Sequence, residues 1–223
     1  MKKLKVSLVI NILIVLMVLF ATIVMFTGYK FMHGHEIVLE STGFGVFKYF
    51  TVQSNVFMGI VALIFAIKEI ELLKGKIKKI DKKFYILKLL ATSAVGLTFV
   101  TVFTYLGAIV DGGILTLLMN SSLFFHCIVP LFSIITFIFF ENTKDIRFKE
   151  VFYGLLPTFI YGLYYLTNVL IHAENGKVSP TYDWYYFVYY GVWTAVISIP
   201  IIFLITYLIS LLLWYLNKRL IRS

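Results

Sequence analysis

Six uninterrupted apolar runs, near residues 6–28, 46–67, 85–109, 121–140, 151–172 and 186–216, constrain this chain more than any other feature. Each is long enough to cross a hydrocarbon layer of roughly 30 Å as a helix. Backbone groups in lipid must find their hydrogen bonds within their own segment, so the runs predict helices. The expectation is an all-α membrane protein: one six-helix transmembrane domain over residues 1–223, with no second domain, linker or internal repeat. At 61% hydrophobic residues and a mean hydropathy of +0.94, a soluble domain of this size could not hide its apolar surface. The first run follows Met1-Lys2-Lys3-Leu4-Lys5 and continues to about Gly28. That is longer than a signal-peptide apolar region and lacks a small-residue exit, so it is expected to stay as a span. The last run is long enough to tilt or to project a turn beyond the bilayer.

Charge predicts the orientation. All but three of the 20 Lys and Arg lie in the N-terminal tail, the 68–88 connection, the 142–150 loop and the C-terminal tail. Only Lys30, Lys48 and Lys177 fall on the other side, beside Glu36, Glu40, Asp111, Glu174 and Asp183. Basic loops stay cytoplasmic, so both termini are expected inside. The net charge of +9 is then explained by topology, and nucleic acid is excluded as a partner. The 68–83 segment reads as a basic connector, with a short amphipathic helix on anionic lipid heads as the less favoured reading.

Polar residues inside the spans need partners. Thr51, Ser54 and Asn55 share one face of the second span; Ser122 and His126 lie one turn apart on the fourth. Thr51 and His126 are each about five residues inside the same membrane face, roughly 7 Å deep at 1.5 Å per residue. Pro130 cannot donate to the His126 carbonyl, so a kink is expected there. The third span adds Thr98, Thr101 and Tyr105, and the fifth adds Thr158, Tyr161, Tyr165, Asn168 and His172 at helical spacing. Such residues commonly join helices by hydrogen bonds, and the Tyr and Trp of 182–193 suit an interfacial belt. An imidazole in a span is also a proton carrier. A hydroxyl and an imidazole at one depth have the makings of a nucleophile and its base, with Asn168, Asn55 or Asp183 to orient the ring or to donate to an oxyanion.

His33, His35 and Glu36 could supply metal ligands, but no second pair has ligand spacing, so no metal and no cofactor are expected. Cys127 is the single cysteine, which rules out an internal disulfide; beside His126 it points elsewhere and reads as a small buried hydrophobe.

Tyr49-Phe50-Thr51-Val52-Gln53-Ser54-Asn55, followed by His126-Cys127-Ile128-Val129-Pro130, resembles the androgen-induced and androgen-dependent TFPI-regulating family of membrane hydrolases and their six-pass bacterial relatives. Pro180-Thr181-Tyr182-Asp183 is similar to a segment of the bacterial members. Span number agrees over nearly the whole chain, but only the first two motifs are specific. Cys127, Ile128 and Glu141 depart from the usual pattern. The resemblance implies an intramembrane threonine and histidine, here Thr51 and His126, that cleave fatty acid esters of hydroxy fatty acids through an acyl-threonine. It also implies a bacterial plasma-membrane protein acting on a membrane lipid. Ser54, Asn55, Ser122, Tyr165, Asn168 and Asp183 are expected to bind substrate or orient the pair. Acyl transfer on the same pair, and a non-enzymatic ligand binder or proton-coupled transporter, are the alternatives. The oligomeric state is not readable from the sequence.

Overall fold

The computed structural model describes residues 2–32, 41–110 and 112–220. Among them there is no strand, only an isolated bridge between Glu174 and Lys177. Six long helices form the body: α1 (Lys2–Thr27), α2 (Phe50–Leu73), α3 (Lys82–Ile109), α4 (Asn120–Phe140), α5 (Phe148–Ile171) and α6 (Val192–Arg219). Five of them, all but α2, are long and apolar enough to cross a membrane. α2 is 24 residues long but carries Gln53, Ser54 and Asn55 at one end and Lys68, Glu69 and Glu71 at the other. The His33, His35 and Glu36 loop lies outside the described residues.

The solvent logic is that of a membrane protein. Large apolar side chains such as Leu16, Ile60, Ile160, Val196 and Leu208 face outward, while Ser7, Asn11, Asn55, Lys88 and Ser210 are buried. A continuous apolar belt of this kind would be a liability in water and is solvated by a bilayer. Helices then associate by close packing and interhelical hydrogen bonds. α3 is the hub, packing on α2, α4, α6 and the first turns of α5. Of its most apolar stretch 61% is buried, against 17% for α6, most of whose apolar surface the other helices leave uncovered.

Small residues set the closest approaches. A Cβ on Gly59 would come within 2.8 Å of Val18, so α1 and α2 touch only because that side chain is missing. A Cβ on Gly154 would sit 2.7 Å from the Ser210 Cβ and 2.9 Å from the Ser93 Oγ, where α5, α6 and α3 meet. We expect Gly154→Ala to destabilise by about 1–3 kcal/mol through overpacking. Gly162→Ala, on the same helix with open space around it, should be neutral or stabilising by helix propensity. Thermal unfolding of both variants in one detergent checks the contrast, and equal shifts would refute it.

Several ends differ from the sequence expectation. α2 runs on to Leu73, its last turns supported by the Lys68–Glu71 ion pair at 2.8 Å, and 74–81 is a turn rather than a separate amphipathic helix. α6 begins at Val192, not near 186, because Tyr186 (φ 57°) and Gly191 (φ 120°) take left-handed conformations that a helix cannot pass through. At the start of α4, Asn120 has φ 51°, and its Oδ1 accepts 2.7 Å bonds from the Phe31 and Met32 amides. The kink expected at Pro130 takes the form of a widened, π-type turn over Phe124–Ile128. A second widened turn, Val102–Leu106, lies in α3.

Candidate functional site

A narrow apolar cleft, with a cavity volume of about 90 Å³, opens between α2, α3, α5, α6 and the 172–191 connection. Phe50, Leu97, Val102, Leu106, Leu166, Val169 and Ile202 supply greasy wall, while Thr51, Thr98, Thr101, Thr158, Tyr161, Tyr165, Tyr185 and Ser198 supply scattered hydroxyls. The sequence stripes of α3 and α5 therefore do converge, and they meet Thr51.

Asp183 builds the tyrosine wall. It is 2% exposed, and its Oδ1 accepts from the Tyr165 hydroxyl and from the Phe187 amide at 3.0 Å, while Oδ2 accepts from the Val188 amide at 3.1 Å. Burial pushes the Asp183 carboxyl up, while those hydrogen bonds pull it the other way. The carboxylate folds 183–188 back so that Tyr185 packs 6.0 Å from Tyr165 and 6.5 Å from Tyr161, ring centre to ring centre. Tyr161 Oη donates to the Lys48 carbonyl at 2.9 Å and accepts from Trp184 Nε1 at 3.0 Å, tying the wall to the start of α2.

Thr51 sits on the first turn of α2, where backbone N–H groups lack helical partners. The Tyr185 hydroxyl lies beside the Thr51 hydroxyl and the Phe50 and Thr51 amides. It is buried and, among the described residues, makes no hydrogen bond of acceptable geometry. Burial pushes it up to about 12, so it remains protonated and able to donate.

His126 is 5% exposed, and its Nδ1 is 2.7 Å from the Leu117 carbonyl. A carbonyl can only accept, so the proton is on Nδ1 and the Nε2 lone pair is bare, the tautomer of a general base. The orienting group is thus a backbone carbonyl of the 3₁₀ turn Ile114–Leu118, and not Asn168, Asn55 or Asp183. Asn168 Nδ2 donates instead to the Tyr182 carbonyl at 2.9 Å, and Asp183 serves the tyrosine wall. Asn55 Nδ2 bridges the Thr51 carbonyl at 2.8 Å and the Phe125 carbonyl at 3.0 Å, joining α2 to the residue before His126. Its Oδ1 is buried and, among the described residues, has no partner.

Among the described residues no hydrogen bond joins Thr51 to His126, and His126 is not part of the cleft lining. Ser54 bonds Thr98 Oγ1 at 3.2 Å and the Thr51 carbonyl at 3.2 Å, which is helix-joining work. Ser122 is half-buried, with its amide bonded to the Met119 carbonyl. Of the six supporting residues read from sequence, only Tyr165 lines the cleft. The sequence reading missed Tyr185 and Tyr161 as site residues, because a run of aromatics at a span end reads as an interfacial belt. The offset of 4 between Tyr161 and Tyr165, on the stripe that also carries Thr158, was the available signal.

Comparisons with family models, with curated proteins and with solved structures return no match to this chain.

Proposed function

We propose that α2 is a sixth span, that both termini are cytoplasmic, and that the protein cleaves acyl esters of membrane lipids with Thr51 as nucleophile. The observation that carries the reading is the environment of Thr51: its hydroxyl opens on an apolar cleft beside a buried, unpartnered Tyr185 hydroxyl and the first-turn amides of α2. An acyl chain would lie along the Leu, Val and Ile side chains once the helices part to widen the cleft, with its carbonyl at Thr51. The motif resemblance to membrane threonine hydrolases supports the same assignment, and positive-inside charge supports the orientation.

The chemistry follows from named atoms. His126 Nε2 takes the Thr51 hydroxyl proton as Oγ1 attacks the ester carbon. Negative charge develops on the carbonyl oxygen, where Tyr185 Oη–H and the helix-start amides donate. Collapse breaks the ester C–O bond, the alcohol leaves with the proton from His126, and an acyl-threonine remains. Water, deprotonated by the same nitrogen, releases the fatty acid. Among the described residues no hydrogen bond joins the two groups, so the first step requires α4 to close on α2. The widened turn at Phe124–Ile128 is the segment that provides the freedom.

A fluorophosphonate probe on protein in lipid nanodiscs tests this. Wild type is expected to label, and Thr51→Ala and His126→Ala to lose labelling by 10²-fold or more, roughly the contribution of a nucleophile or base. Gel filtration checks that both variants remain folded. Equal labelling of all three proteins sinks the hydrolase reading.

A further inference from the structure

At the opposite end of the helices from Thr51 lies a buried charged cluster that the proposed chemistry does not use. Lys88 of α3 is fully buried, and its Nζ is 3.0 Å from Glu141 Oε1 and donates to Asn11 Oδ1. Glu141 Oε1 also accepts from Asn11 Nδ2 at 2.8 Å and from Ser7 Oγ at 3.4 Å. Glu69 of α2, 1% exposed, accepts from Asn11 Nδ2 at 3.2 Å on Oε2 and has the Ser7 hydroxyl beside it. Two carboxyl groups thus share one ammonium, and the ammonium is on Glu141.

We infer that Glu69 is a proton-binding site: it carries a proton at neutral pH, held at the junction of α1, α2, α3 and α4. Among the described residues the neighbours leave no other charge to balance it. α1 contributes the neutral Ser7 and Asn11. α3 contributes Lys88, already committed, and Tyr85. The α4 end contributes Glu141, and Asp145 beyond it adds only negative charge towards Tyr85. α6 contributes the neutral Asn217, whose Nδ2 donates to the Glu141 carbonyl at 3.0 Å. Lys68 and Glu71, on the same end of α2, are paired with each other. Among the described residues the buried Glu141 Oε2 atom has no partner, so the pocket is already short of donors for the one carboxylate it holds. A second buried carboxylate with only neutral donors and no cation of its own is the more expensive state, and taking up a proton removes its charge. Losing that proton would place like charges on two helix ends that Asn11 bridges, so protonation is coupled to how these four helices pack.

Infrared spectroscopy of the protein in nanodiscs at neutral pH reads the proton directly through the carboxylic acid C=O stretch. Glu69→Gln, an uncharged isostere, is expected to fold as wild type and to delete one such band. Glu71→Gln, which removes a partly exposed and ion-paired carboxylate, should leave the band in place. A spectrum that Glu69→Gln leaves unchanged overturns the inference. So does a Glu69→Gln protein that no longer elutes as a single species, since that would mean the negative charge is needed. Neither result bears on labelling at Thr51.

Discussion

Replacing Lys88 by methionine is expected to destabilise the protein by about 3–5 kcal/mol, the usual consequence of removing one partner from a buried ion pair. The reason is what stays behind. Glu141 is 3% exposed, and without the ammonium its carboxyl is left with one amide and one hydroxyl, so it must either stay charged in the interior or take up a proton at a cost. The methionine fills much of the same space, including the site over the Phe65 ring, where the ammonium lies 5.2 Å from the ring centre. The loss is therefore electrostatic rather than a packing defect. Adding Glu141→Gln should recover more than half of it, because the double variant leaves no unpaired charge. Lys74→Met, on the exposed turn after α2, should shift stability by no more than about 0.5 kcal/mol. Thermal unfolding of the four proteins in one detergent decides the matter. If Lys88→Met behaves like Lys74→Met, or the double variant is no better than the single, the pair is not what holds this end together.

The same cluster shows where sequence reading stopped. Hydropathy locates helices because bilayer thickness fixes how long an apolar run must be, and all six runs correspond to long helices. Charge counting, however, treats every Lys and Glu near a span end as a solvated loop residue. It placed Lys88 and Glu69 in a connection and Glu141 at a loop start, although Lys88 falls three residues inside the third run. Their burial depends on a partner from another helix, and no periodicity within a single helix encodes that. His126 illustrates the same limit. Its presence in a span was visible, but its partner is the carbonyl of Leu117, and a backbone atom leaves no trace in side-chain spacing. The polar stripes of α3 and α5 were legible because helical offsets alone bring Thr98, Thr101, Thr158, Tyr161 and Tyr165 to common faces. That Thr51 faces them while His126 does not is a fact of helix rotation, set by contacts such as Gly59 on Val18 and Asn55 on the Phe125 carbonyl.

Asp183→Ala is expected to combine the second large loss of stability with a loss of function. The side chain accepts from the Tyr165 hydroxyl and two backbone amides in a site 2% exposed. Deleting it strands three donors, at roughly 1–3 kcal/mol for each that water cannot reach, so a fall of about 3 kcal/mol or more is expected. Hydrogen bonds that remain on the 183–188 turn, such as those from Thr194 and Ser198 to the Phe187 carbonyl, join uncharged groups, and Tyr186 within it is held at φ 57°, which an unrestrained tyrosine avoids. Once the turn relaxes, Tyr185 leaves the first turn of α2, and the Thr51 hydroxyl loses the donor proposed to stabilise its reaction. Fluorophosphonate labelling at Thr51 should therefore fall even at temperatures where the variant is still folded. Asp183→Asn keeps an oxygen acceptor for the amides and should fall between wild type and alanine on both measurements. Tyr185→Phe separates the two effects: it leaves the Asp183 turn intact and removes only the hydroxyl, so labelling should drop by about 10²-fold, the size of one lost oxyanion donor, with stability nearly unchanged. If Tyr185→Phe labels as wild type while Asp183→Ala does not, Asp183 matters only for folding, and the tyrosine has no part in the chemistry.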